Sequence, residues 1–283
     1  MPPRSNPTAR QQRLGAELRK LRESAGLSTE QAAALLDTKR TVVTSTEAGR
    51  HGVSPERVRR IAFEYGCNDE ALVDALVAMC SDRSSGWWEE YRDVLPATFL
   101  DIAELEWRAE GLRVSTMTHM PGQFQTEAYA RALFQAAIPP LPADEFEARV
   151  AHRVRRRQAI ERPAAPPYVL VIHEAALRIE VGGRKVLRDQ LDHLMATADR
   201  TNVTIQAIPF SSGAFPGSGQ SILYALGKVP RLDTVQLDRT TAGEFLHSET
   251  DLHKYRQQLD EMQRIALPPS ETVALMHAIS QQL

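Results

Sequence analysis

Cysteine is nearly missing from this chain: there are two in 283 residues, Cys67 and Cys80. They build no framework of crosslinks and nothing nearby completes a metal-ligand set, which fits a reducing cytosol. Apolar residues make up 42%, yet no apolar run approaches the roughly 20 residues that cross a bilayer. No membrane association is expected. The opening Met1-Pro2-Pro3-Arg4-Ser5-Asn6-Pro7 has no apolar centre. Residues 1–9 read as a disordered lead, not a secretory signal. Lysine is scarce, five against 29 arginines, a bias with no mechanism attached.

Catalytic patterns are lacking as well. There is no Gly-x-Ser-x-Gly elbow, and the eight histidines have no Ser or Cys partner at a telling spacing. The glycine-bearing loop Ser211 to Gly219 follows a strand pattern without opening a helix, so it fails as a phosphate cradle. Glu244, His247, Asp251 and His253 match no ligand motif. No catalytic residue, cofactor or metal is assigned, and an enzyme is not expected.

What is present suggests two domains, the prior for this length. The net charge of −2 hides a split. Through Gly66 there are twelve Lys/Arg against seven Asp/Glu (+5), leaving 22 against 29 (−7). A basic small domain beside an acidic larger one is the asymmetry expected where only the first meets a polyanion.

The basic part reads as five short helices over residues 10–80. Leu14, Leu18, Leu21 and Ala25 form one apolar stripe, with Arg13, Arg19, Lys20 and Arg22 keeping the other faces basic. Gly26 ends that helix. Ser28 with Gln31 spells a capping box for a second helix packed through Ala32, Leu35 and Leu36. After Asp37, Thr38 can cap a third helix, Lys39 to Ala48, with Val42 and Val43 inward and Arg40, Thr41, Thr44 and Ser45 outward. Ser54-Pro55 opens a fourth, and Asp69 to Cys80 a fifth. A tight turn joining helices two and three is the helix-turn-helix arrangement.

Leu14-Gly15-Ala16-Glu17-Leu18-Arg19-Lys20-Leu21-Arg22-Glu23, Ala25-Gly26-Leu27-Ser28 and Thr41 to Arg50 together resemble the XRE family of phage-repressor-type regulators over residues 10–66. That resemblance implies contact with double-stranded operator DNA through Thr29, Lys39, Arg40, Thr41, Thr44, Ser45 and Arg50. The chain departs from the family pattern at several points: Thr29 replaces glutamine, Asp37 the turn glycine, Lys39 the capping serine, Ser45 an arginine, and Thr46 an apolar residue. Arg40 remains the principal long donor for a bidentate contact to guanine. Glu47 reads as a structural carboxylate, because it would repel phosphate.

Residues 81–96 read as a hinge containing Trp87-Trp88, either packed aromatics or a ligand or partner contact. Residues 97–283 mix helix and strand patterns and read as an α+β domain with a small sheet flanked by helices. Strands are expected at Leu112–Thr116, Tyr168–His173, from Asn202, at Ser221–Leu226 and at Thr234–Asp238. A helix from Asp144 or Glu145 to Ile160 carries the charge run Arg153 to Arg157, read as partly solvated and partly paired, with a small-anion site as the alternative. Gly86 to Tyr91, Pro121-Gly122-Gln123-Phe124-Gln125-Thr126-Glu127-Ala128-Tyr129-Ala130, Glu174 to Arg178 and Asn202 to Phe210 resemble the C-terminal domain of the actinobacterial antitoxin-like (Scr family) XRE regulators. The family often has histidine where Phe215 stands. The resemblance implies a small cognate protein encoded nearby. Candidate partner- or ligand-binding residues are Trp87, Trp88, Arg153, Arg157 and Phe215.

The expected function is that of a cytoplasmic transcriptional regulator, held on the nucleoid when bound and paired as a homodimer on a two-fold operator. Two other readings stand beside it. One is an antitoxin-like interaction module acting through its small partner with weak or lost DNA binding, and the other a small-molecule sensor.

Overall fold

The computed structural model describes residues 6–82, 86–238 and 243–283. The chain divides into two compact units, Met1–Trp87 and Trp88–Leu283. Residues 1–5 of the expected lead, and residues 83–85 of the expected hinge, lie outside the described residues.

Among its described residues the first unit holds five α-helices: α1 (Ala9–Ser24), α2 (Thr29–Leu35), α3 (Arg40–Glu47), α4 (Pro55–Glu64) and α5 (Glu70–Ser81). Thr8 and Ser28 each close a capping box with a glutamine three residues on, and Ser54 caps α4 with Pro55 at its first position. Leu18, Leu21, Ala32, Leu36, Val43, Val58, Ile61, Leu72 and Leu76 fill the core. Two expectations fail here. Leu35 is 41% exposed, and Ala33 takes the inward place beside Ala32; the short α2 buries only the small side chains that let its neighbours approach. Arg13 and Arg22 do not solvate a basic face but are buried. Each is neutralised: Arg13 pairs with the fully buried Glu17, which also takes Lys20 Nζ at 2.7 Å. Burial alone would raise the Glu17 carboxyl, but these two cations outweigh it and hold it below its usual range.

In the second unit, a six-stranded mixed sheet has the order β3-β2-β1-β4-β5-β6. The strands are β1 (Gly111–Thr116), β2 (Tyr168–His173), β3 (Val203–Ile208), β4 (Ile222–Leu226), β5 (Thr234–Leu237) and β6 (Glu244–Leu246). The first three run parallel and the rest pair antiparallel, with Val114 opposite both Leu170 and Leu223. The helices are α6 (Ala97–Arg108), α7 (Glu127–Gln135), α8 (Ala143–Arg155), α9 (Gln158–Glu161), α10 (Glu174–Arg178), α11 (Arg184–Ala198), α12 (Glu249–Ile265) and α13 (Pro269–Gln282).

Side-chain alternation along the strands divides the core in two. Leu112, Val114, Leu170, Ile172, Val203, Ile205, Leu223 and Ala225 face one way, against Leu187, Leu191 and Leu194 of α11 and Met276 and Ile279 of α13. Val171, Ile222, Tyr224, Val235 and Leu237 face the other, against Leu252, Tyr255, Leu259 and Met262 of α12. The β3 edge is closed by its own chain: Leu267 N donates to Ala207 O (2.8 Å), and Ala207 N to Thr272 Oγ1 (2.9 Å). Strand β6 and helix α10 appear beyond the sequence expectation. The expected helix ending near Ile160 instead stops at Arg155. Arg156 and Arg157 form a turn before the short α9, through the three-residue bonds Arg157 N to Val154 O, Ala159 N to Arg156 O and Ile160 N to Arg157 O.

Candidate nucleic-acid interface

The turn between α2 and α3 is built from what the sequence offers. Asp37 has φ +48°, left-handed backbone that Asp tolerates better than most residues, so it can stand where glycine usually does. Thr38 does not cap α3. The helix begins one residue later with Lys39 at the cap, and no side chain bonds there, since an ammonium has nothing to accept with. Tertiary contact anchors α3 instead. Gly15 lets α1 cross it so closely that a Cβ would lie 2.5 Å from Glu47 O. Arg22 Nε and Nη2 donate to the two Glu47 carboxylate oxygens at 2.6 and 2.9 Å, while Nη1 donates to Leu27 O at 2.8 Å. Glu47 is therefore the fork that ties the end of α3 to α1.

With Val43 buried at 5% and Val42 half-buried, the opposite side of α3 is left outward. Arg40, Thr41 and Thr44 are exposed on it and Ser45 is half-buried. Thr44 Oγ1 donates to Thr41 O at 3.2 Å. Lys39 and Arg50 are exposed at the two ends, and Arg50 N donates to Ser45 O at 2.9 Å. Thr29 is half-buried at the start of α2. One member of this face carries no signal in the sequence. Glu30 takes Thr29 Oγ1 at 3.0 Å and pairs with Arg40 Nε at 2.9 Å. The long donor thus shares its face with a carboxylate, and both side chains are more than half exposed. Such an exposed pair is weakly held and readily exchanged for phosphate.

The same first unit has a cleft of about 290 Å³, lined among others by Leu18, Leu36, Val43, Thr46, Glu47, Arg57 and Tyr65. Thr46, in place of an apolar residue, contributes to that space.

In the second unit the predicted residues separate. Trp88 is 2% exposed and meets Trp107 edge-on at 6.2 Å, while Trp87, the last residue of the first unit, is half-buried. Phe215 stacks on His173 at 5.6 Å, and Phe210 meets the same ring edge-on at 5.2 Å. His173 Nδ1 accepts Ala175 N at 3.2 Å, so a neutral ring carries its proton on Nε2. The arginine run turns to the interior. Arg156 reaches the buried Glu106, Nε to Oε2 at 3.0 Å, and the same carboxylate takes Gln123 Nε2. Tyr168 OH donates to Gln123 Oε1 at 3.1 Å. Burial pushes the Glu106 carboxyl above its ordinary value despite Arg156. Arg155 pairs outward with Glu90. Arg153 Nη1 donates to Gln125 Oε1 at 2.9 Å, and Arg157 Nη2 to Gln125 O at 3.1 Å. Sequence reasoning took Gln125 only as part of a motif, with no sign that two arginines meet on it. Among the described residues no three His, Cys, Asp or Glu side chains are placed to hold a metal, and no helix is long and apolar enough to cross a membrane.

The α2–turn–α3 unit with its outward polar face defines a helix-turn-helix protein of the DNA-binding, XRE-like class. Residues 13–76 match a helix-turn-helix domain family, and residues 99–278, more than half of the chain, match the family described as Domain of unknown function (DUF5753). The chain belongs to that family. No curated protein and no solved structure matches it.

Proposed function

We propose that this chain is a sequence-specific transcriptional regulator that reads double-stranded operator DNA through α3, as a homodimer on a two-fold site in the cytoplasm. Its second unit, similar to the antitoxin-like Scr regulators, takes a small cognate protein or a ligand that governs binding. The observation that carries the reading is the outward row Arg40, Thr41 and Thr44 on a helix whose other side is locked by Val43 and Glu47. Lys39, Ser45, Arg50 and Thr29 flank that row as phosphate contacts.

The test is a mobility shift on DNA upstream of the chain's own coding region, at several salt concentrations. Binding falls steeply as salt rises. Arg40→Ala costs about 1–3 kcal/mol and relaxes one base position if Arg40 reads a base. An equal loss on every sequence makes it a phosphate contact. The second reading, an interaction module with weak DNA binding, draws on the Glu30 carboxylate paired to Arg40. No DNA binding together with tight capture of the neighbouring small protein selects it.

A further inference from the structure

Two guanidinium groups of the second unit are left short of partners. Arg153 is stacked over Phe134 at 4.9 Å and spends Nη1 on the neutral Gln125 amide. Arg157 spends Nη2 on the Gln125 carbonyl. The Nε of each is sealed from solvent without a hydrogen-bond acceptor. No carboxylate among the described residues lies within ion-pair distance of Arg153, and the one beside Arg157, Glu161 Oε1, stands at 4.0 Å. The neighbouring Glu106 is already taken by Arg156.

The surroundings carry both signs: Arg156 and Arg149 oppose the charge of Arg153, while Asp238 and Glu106 favour it. Burial first, and then the charge of Arg156, push Arg153 down to about 9. His119, from the loop after β1, and His193, on α11, are both lowered by burial and then by Arg153 and Arg157 respectively. Gly122 permits this assembly: a Cβ there would meet Arg156 Nη1 at 2.7 Å and Arg153 Cδ at 3.1 Å. Arg153 and Arg157 are each half-buried, and the Arg157 side chain is 28% exposed. Two planar forks one helical turn apart, fixed by one glutamine and wanting acceptors, suit an oxyanion with two or more oxygens.

We propose that Arg153 and Arg157, set by Gln125, form a receptor for the phosphate or carboxylate group of a small ligand. The site deepens the ligand half of the proposed function and is independent of the DNA-reading half. The anion offers one oxygen to each guanidinium.

The test uses the full chain and two probes, inorganic phosphate and acetate, each titrated at constant ionic strength with chloride as balance. Melting temperature and calorimetric heat are followed. Phosphate, acetate or both raise the melting temperature with saturation, and the stronger of the two names the group. Arg157→Gln weakens the apparent affinity by about tenfold or more, the loss of one charge-assisted contact. Arg153→Lys, which keeps the charge but not the fork, weakens it too and guards against a folding failure of harsher variants. Arg264→Gln, an exposed arginine paired with Glu261, leaves it unchanged. Arg40→Ala lowers DNA binding without moving the anion response, which separates failure of one reading from failure of the other. The proposal is overturned if neither probe shifts the wild-type chain, or if the shift survives Arg157→Gln and Arg153→Lys intact.

Discussion

Both units hide an arginine–glutamate pair, and the two pairs do different things. In the first, Arg22 and Glu47 join α1 to the end of α3 across 25 residues, with side chains 8% and 10% exposed. In the second, Glu106 and Arg156 join α6 to the turn after α8 across 50 residues, and the carboxylate is 1% exposed. The first pair sits at the rim of a small helical core and positions a reading surface. The second is buried and bound into Gln123 and Tyr168. Burial raises the stakes: a charge left alone in the interior costs far more than one that water can reach.

The sharpest way to break this comparison is to remove the carboxylates in turn. Glu106→Ala leaves Arg156 buried and uncompensated and costs the second unit about 3–5 kcal/mol, read by urea unfolding. Glu47→Ala frees a guanidinium that water can partly reach and costs the first unit about 1.5–3 kcal/mol, with loss of any DNA shift. Equal losses at the two sites would show that depth does not set the difference.

A third measurement separates the units by pH. His152 is fully buried, edge-on to Tyr91 and Phe99, and burial followed by Arg156 holds it down to about 3 from an ordinary 6.5. The unfolded chain therefore takes up the proton first as pH falls. Stability of the second unit is full above pH 6.5 and declines towards pH 3, by about 1.4 kcal/mol for each unit. His119 and His193 act in the same direction. His152→Phe keeps the ring contacts and flattens part of that slope in a pH series of melting curves. An unchanged slope would mean the ring is not the group that titrates. The smallest effect belongs to the first unit: Thr46→Ile adds apolar volume to the 290 Å³ cleft and raises stability by about 1 kcal/mol, measured by thermal melting.

The candidate interface was legible to different depths. The outward row of α3 follows from helical spacing alone, once Val42 and Val43 are taken as inward. Glu30 entered that face unannounced, because an ion pair between the start of one helix and the start of the next depends on their crossing. The arginine run gives the same lesson more strongly. Five arginines in nine residues of the α8 region read as partly solvated and partly paired, and only the fold chooses which: Gln125 takes Arg153 and Arg157, and the buried Glu106 takes Arg156. The burial of Arg13 and Arg22 was missed for the same reason: a cation reads as exposed until its carboxylate is located.

By itself the sequence determined the caps at Ser28 and Ser54, the apolar stripe Leu14–Leu18–Leu21, the buried run Tyr168–His173 and the class of both units. These signals act over a few residues, through backbone hydrogen bonds and the period of the side chains. Tertiary structure alone decided the order β3-β2-β1-β4-β5-β6, the addition of the three-residue β6, and which charges are buried against which. Strand neighbours and ion pairs are chosen across tens of residues, where no local period records the partner, and burial is settled only when the whole sheet and its helices close over it.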